Sequence, residues 1–320
     1  NHPWLHSLLA PGYKAVDIFF ILSGLILAVV YRDLRWTPAP RFMLRRVFRV
    51  YPLHIVALVV LILAVSWPAF LPGYFVSPAF GASVLIVQPY WPSQAAQNPP
   101  AWSIGVEMLC YLLFPAAMAL LRSIGQRRHA LYSLVAVLAL VQLWVQFHYL
   151  GITTGIGAIV RGLAGFSLGM AIARLAGQLT LSARWASRIE LLACAGIAMA
   201  ICLKQEHWIA SWAALLLFCL YFDQGVVAQQ LRKPLWLWLG NISFSVYLIH
   251  YPLLMVAKKM PWLEGLLHGG FAGKLAYYAL LTGALLLISS LSYRYLEQPC
   301  RKIPDWLLGR ANRQQQAAAG

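Results

Sequence analysis

Charged and polar residues set inside long apolar runs mark five places in this sequence where chemistry could occur. Asp17 enters the run that follows Gly12, Tyr13 and Lys14. A carboxylate there can orient a base, and it can equally be a first-turn residue favoured by the helix dipole. Arg46 and Arg49 stand three apart in the segment RRVFRVYP and share a helix face. Guanidinium forks match phosphate oxygens, and juxtamembrane arginines also anchor on anionic lipid. Trp102 and Ser103 open another run, with Glu107 following. Ser103 can cap a helix, but Glu107 falls one residue late for a capping box. It lies roughly 6 Å farther along the axis and needs a partner or water, with an ion pair to a neighbouring helix as the structural alternative. Arg161 lies midway along a fifth run and must face the bundle interior or a cavity. It serves there in charge stabilisation or in an ion pair with a carboxylate on another span. Ser243, Tyr247 and His250 fall at i, i+4 and i+7, a polar stripe suited to acid–base work or to interhelical hydrogen bonding.

Other polar residues carry less. His2, His6, His129, His207 and His268 fall in loops or at span ends, and His54 and His148 are expected to face the interface. Ser23 and Gly24 are expected to let helices approach closely. Arg294 and Glu297, three apart, are expected to pair.

The elements that must position these groups follow from composition. The chain has 320 residues, 61% hydrophobic and 11% charged, with a mean hydropathy of +0.69. That excludes a disordered chain and argues against a soluble enzyme, because such an oily chain cannot cover its core with polar surface. A helix of about 20 apolar residues spans a bilayer. Nine spans are read at 14–31, 50–70, 101–121, 130–150, 152–174, 189–204, 208–222, 235–257 and 275–296, the sixth and seventh being short. The oily stretch 80–90 is too short to cross and reads as re-entrant or interfacial, with a loop from Pro92 to Pro100 after it. Residues 1–305 form one membrane domain, and 306–320 read as a cytoplasmic, disordered tail.

The net charge of +16 does not point to nucleic acid, since the bases lie in short gaps between spans. Nineteen of the 25 Lys and Arg fall in alternate gaps, against five in the opposite set and Arg161 within a span. The positive-inside rule places the first set, and the C-terminus, in the cytoplasm. The five cysteines show neither a paired framework nor a metal-ligand spacing, and no metal is expected.

Six stretches together resemble the membrane acyltransferase-3 family: GYKAVDIFFILSG, RRVFRVYP, WSIGVE, RGLAGFSLG, ISFSVYLIHYP and LEQPCR, in the family's order from Gly12 to Arg301. The family includes bacterial polysaccharide O-acetyltransferases. The resemblance implies an all-α polytopic bundle of about ten spans, with acyl-CoA, usually acetyl-CoA, as cytoplasmic donor and a carbohydrate as acceptor. It puts the family's donor-engaging RxxR on Arg46 and Arg49, its acidic residues on Asp17 and Glu107, and its late-helix histidine on His250. The family's first span carries an Arg and a His favoured as the catalytic base, and this chain is expected to start after that span.

The implied reaction is acyl transfer from a thioester to a sugar hydroxyl, in which the hydroxyl needs a base and the developing oxyanion needs donors. The roles expected are Arg46 and Arg49 on CoA phosphates and Arg161 in charge stabilisation. Asp17 or Glu107 orients or polarises the base, His250 supports the catalytic groups from behind or serves at the acceptor site, and Trp102, Ser103 and Tyr247 contact the acceptor. These groups are expected to line one wet tunnel in the inner membrane of a bacterium. The alternatives are a transporter or flippase of lipid-linked glycan, and a non-catalytic membrane scaffold.

Overall fold

The computed structural model describes residues 10–32, 39–66, 78–90, 98–124 and 127–318. His2, His6 and residues 91–97, the larger part of the loop before Pro100, lie outside these. All regular structure among the described residues is helical. The physical reason is that a helix satisfies its own backbone in hydrocarbon, whereas an isolated strand does not.

The first half of the chain forms α1 (Ala15–Val30), α2 (Ala39–Ser66), α3 (Pro78–Val84), α4 (Trp102–Ile124), α5 (Arg128–His148) and α6 (Gly155–Ala176). The second half forms α7 (Ala183–Cys202), α8 (Ile209–Leu220), α9 (Val226–Leu231), α10 (Pro234–Ala257), α11 (Pro261–Gly265), α12 (Gly270–Ser292) and α13 (Gln298–Ala318).

Eight helical stretches among the described residues are long and apolar enough to cross a bilayer, one fewer than the sequence reading. The difference is the run at 208–222. Its helix α8 has 12 residues, and a rise of about 18 Å falls short of a hydrocarbon core of about 30 Å. The stretch at 80–90 is short, as expected: α3 has seven residues and is followed by a 3-10 turn at Gln88–Tyr90. A π-helical turn, Tyr293–Glu297, joins α12 to α13, so Gly270–Leu308 is one apolar helical stretch of 39 residues. Helix α13 continues to Ala318, so most of the segment read as a disordered tail is helical. Alanine and glutamine are good helix formers.

The chain divides into two compact units, Asn1–Trp36 with Val106–Leu237, and Thr37–Gly105 with Trp238–Gly320. In the first unit α1 lies along α6, the most deeply buried of the spans. Two glycines set how closely they approach. A Cβ on Gly24 would lie 2.0 Å from the Phe166 carbonyl oxygen, and one on Gly169 would lie 1.9 Å from that of Ile21. The backbones therefore touch on both sides of the contact, the small-residue packing of membrane helices. The expectation for Gly24 holds.

In the second unit Val50 and Leu53 of α2, Ile86, Ile104 of α4, and Leu248 and Ile249 of α10 form one apolar cluster. Ile86 follows α3 with φ of 59°, a left-handed conformation that strains a β-branched residue by on the order of 1–3 kcal/mol. Burial of its side chain in that cluster offsets the strain.

Gly169→Ala is expected to lower stability by about 1–3 kcal/mol, the scale of forced overpacking, read as a lower unfolding temperature in detergent. Gly283→Ala on α12, where an added Cβ meets nothing within 4 Å, is expected to raise it slightly, since helical glycine is worse than alanine by roughly 0.5–1 kcal/mol.

Candidate functional site

In the first unit the charged residues of two motifs meet. Arg161 of α6 and Asp17 of α1 are 2% and 1% exposed. The guanidinium holds the carboxylate through Nε and Nη2 to Oδ1 at 3.2 and 3.0 Å and Nη2 to Oδ2 at 3.1 Å, while Nη1 donates to the Ile152 carbonyl at 2.6 Å. The sequence expects a carboxylate on another span as one partner for Arg161, and Asp17 is that carboxylate. Lys14, also 1% exposed, donates to Gln146 Oε1 at 2.8 Å and stands 3.9 Å from Asp17 Oδ2. Above it Tyr13 donates to the Glu206 carboxylate. One carboxylate thus sits between two cations, and the neutral amide of Gln146 takes up part of the excess.

Glu107 forms a second station. It is 3% exposed, and its Oε1 accepts from Ser23 at 2.9 Å and from Tyr111 one turn on in the same helix. The partner that a late carboxylate needs is thus a pair of hydroxyls, and Ser23 does more than let helices approach. Ser23 lies about 9 Å beyond Asp17 along α1. A Cβ on Gly162, the neighbour of Arg161, would lie 2.2 Å from Val106, the neighbour of Glu107. Helices α1, α4 and α6 therefore meet at one junction carrying Asp17, Arg161 and Glu107. A fixed carboxylate–guanidinium pair beside a hydroxyl-bound carboxylate can orient a polar group in a dry setting.

The second unit holds the remaining candidates. Tyr247 of α10 donates to the Pro100 carbonyl at 2.6 Å and stands 2.8 Å from Ser103 Oγ. Trp102 is buried beside Ser103 at the start of α4. Pro252 has no N–H, so the Leu248 carbonyl loses its helical donor. Asn98 Nδ2 supplies one at 3.4 Å. The stripe read from Ser243, Tyr247 and His250 therefore splits. Ser243 bonds the Gly240 carbonyl of its own helix at 2.8 Å, and His250 Nδ1 bonds the Tyr247 carbonyl at 2.6 Å. Both side chains are exposed while Tyr247 turns inward. Arg46 and Arg49 are half-buried on α2, with the Arg46 guanidinium 5.1 Å from the Phe42 ring centroid.

Two placements differ from the sequence reading. His54 is fully buried, with Nε2 bonded to the Ser83 carbonyl at 2.8 Å, and does not face the interface. A carbonyl only accepts, so Nε2 carries the proton and Nδ1 is left as an acceptor. Glu297 pairs with Arg301 at 2.9 Å and accepts from Ser245, whereas Arg294 lies against Tyr295, 5.6 Å from its ring centroid. The i, i+4 geometry is as good as i, i+3 on an α-helix, and the π-helical turn alters the register at Arg294.

Asp17→Asn and Arg161→Met are each expected to destabilise the protein by about 3–5 kcal/mol, because each strands a buried charge. The double variant is expected to lose clearly less than the sum of the two. Chemical unfolding of the four proteins in detergent measures the cycle, and strict additivity would disprove the coupling.

Residues 3–294 match the acyltransferase-3 family, described as an acyltransferase domain. Acyltransferase MdmB of Streptomyces mycarofaciens is 27% identical, over 93% of this chain and 82% of its own length. O-acetyltransferase OatA of Staphylococcus aureus strain NCTC 8325 / PS 47 is 25% identical, over 94% of this chain and 54% of its own, so the chain spans about half of that relative. No solved structure matches. Five of the six motif stretches lie within a family match that runs through seven of the eight candidate spans and into the last, and the chain belongs to the membrane acyltransferase-3 family of acyltransferases.

Proposed function

We propose that this chain moves an acetyl group from acyl-CoA at the cytoplasmic face of a bacterial inner membrane to a hydroxyl of a cell-surface or exported carbohydrate. The observation that carries the reading is the family match over residues 3–294. The names of two relatives, an acyltransferase and an O-acetyltransferase, support the acyl class. The basic gaps between spans support the cytoplasmic side for the donor and for the C-terminus.

The chemistry joins the sugar oxygen to the thioester carbonyl carbon and breaks the carbon–sulfur bond. The hydroxyl proton passes to a base and on to the departing thiolate. Arg46 and Arg49 are assigned to the CoA phosphates, for which guanidinium forks are suited. Glu107, already an acceptor for two hydroxyls, is assigned to polarising the base. Arg161 and Asp17 set the field around it. The carboxylate of Asp17, held by three hydrogen bonds from Arg161, is assigned to orienting its neighbours. Trp102, Ser103 and Tyr247 are assigned to the acceptor, where a hydroxyl pair and an indole suit a sugar's polar edge and apolar face. His250, on an exposed face, is assigned to the acceptor's approach.

Membranes carrying the protein and given radiolabelled acetyl-CoA are expected to place label on glycan. Glu107→Gln and Arg46→Ala are each expected to reduce it by on the order of 10²-fold, the scale of one acid–base or electrostatic group. Transit of unmodified glycan with no label incorporated would overturn the reading in favour of transport. Undiminished labelling by both variants would remove these residues from the chemistry.

A further inference from the structure

The end of the second unit that bears Arg46 and Arg49 has a second wall. Helix α13 packs against α2, and two contacts fix the register. Asp305 accepts from Arg45 at 2.7 Å, while Leu296 packs in the cluster of Val50 and Leu53. Residue numbers rise along one helix as they fall along the other, so the helices are antiparallel. Arg301 and Lys302 come to lie opposite the turn that carries Arg49.

Charge on these walls does not balance. Residues 39–50 and 297–308 hold six cations, Arg41, Arg45, Arg46, Arg49, Arg301 and Lys302, against two carboxylates, Glu297 and Asp305. Both carboxylates are engaged, Glu297 by Arg301 and Ser245 and Asp305 by Arg45. Arg46, Arg49 and Arg301 are half-buried, so part of their repulsion is not screened by water. Arg301 Nε is buried with no hydrogen-bond partner. Packing like charges on facing helices is unfavourable by itself, and a polyanion between them reverses the sign.

We propose that α13 completes the donor site: Arg301 and Lys302, set against Arg49, hold the phosphates of the acyl-CoA nucleotide. This rests on the reading of acyl-CoA as donor. A nucleotide with a 3′-phosphomonoester and a pyrophosphate carries roughly four negative charges, opposite in sign to the net charge of the two walls. Guanidinium groups take phosphate oxygens in pairs, and the lysine acts as a point charge at the rim. The pair Arg45–Asp305 is a brace that holds α13 in register and lies outside the phosphate contacts.

The test uses the full chain in nanodiscs of neutral phosphatidylcholine, with adenosine 3′,5′-bisphosphate as the probe in calorimetry. Lys302→Glu and Arg49→Gln are each expected to weaken binding, Lys302→Glu by on the order of tenfold at low salt and by less as salt is raised. Lys259→Glu makes the same charge change on an exposed residue outside this cluster and is expected to leave binding as it is. A Lys302→Glu dissociation constant within twofold of the parent would overturn the proposal, as would an equal loss in Lys259→Glu. An effect of Lys302→Glu seen only in phosphatidylglycerol discs would assign the face to lipid headgroups and also overturn it. Acetyl transfer that proceeds with an unchanged KM for acetyl-CoA in Lys302→Glu would sink this site while the acyltransferase reading stood. Bisphosphate binding that is lost in Lys302→Glu, in a protein that transfers no acetyl group, would leave the nucleotide site standing and remove the reaction.

Discussion

A charge that enters the hydrocarbon must be matched there, and in the first unit Arg161 and Asp17 match each other. At an effective dielectric near 20, two unit charges 3 Å apart attract by about 5 kcal/mol. Removing both from water is unfavourable by a similar or larger amount, so the pair contributes little net stability. Its consequence is register. A guanidinium that bonds both carboxylate oxygens and the Ile152 carbonyl does so at one rotation and one height of α6 against α1. Gly24 and Gly169 remove the side chains that would hold those backbones apart. The small residues permit contact, and the ion pair selects which contact forms. Glu107 inherits its position from this, because its partner Ser23 rides on α1 and its neighbour Val106 packs on Gly162.

The second unit answers a different demand of the same solvent. Its backbone is irregular at 85–90 and 98–101, and irregular backbone at membrane depth persists only where its polar groups find partners. Side chains supply them. His54 bonds the Ser83 carbonyl, Tyr51 that of Leu85, Tyr90 that of Gly105, and Asn98 the Leu248 carbonyl freed by Pro252. These four polar residues hold α2, the short segment after α3, the start of α4 and the middle of α10 in one arrangement. Tyr247 and Ser103 stand on that frame.

How much of this was legible depends on whether a feature is local in the chain. Hydropathy and length located the spans, because burial in lipid is a property of 20 residues in a row. Among the described residues they differ only at α8, where the apolar run is real but the helix is short. Arg161 announced that it needed a carboxylate, yet which of several would serve depends on helix rotation, which no local pattern encodes. His54 was misplaced for the same reason. Its neighbours Ile55 and Val56 are exposed while Leu53 and Ala57 are buried, so a shift of one residue would turn it to lipid. A clue was present in the oily stretch at 80–90, whose uncapped carbonyls require donors from somewhere. Glu297 was assigned to Arg294 on α-helical spacing, and the intervening π-helical turn is not visible in composition.

Lys14 shows how far the positional argument extends. It adds a second cation to a carboxylate already held by Arg161, and its nearest hydrogen-bond partner is a neutral amide. Stability alone gives no reason to bury that charge, since an apolar residue would fit the end of an oily helix at lower desolvation cost. The arrangement sets Lys14 and Arg161 against Asp17 and Glu107 at the junction of α1, α4 and α6, each held by hydrogen bonds before any ligand arrives. Charges fixed in advance suit acyl transfer where an oxyanion develops, because dipoles already in place need no reorganisation at the moment of reaction. The residues that are costliest to bury are therefore those that fix the geometry of the junction.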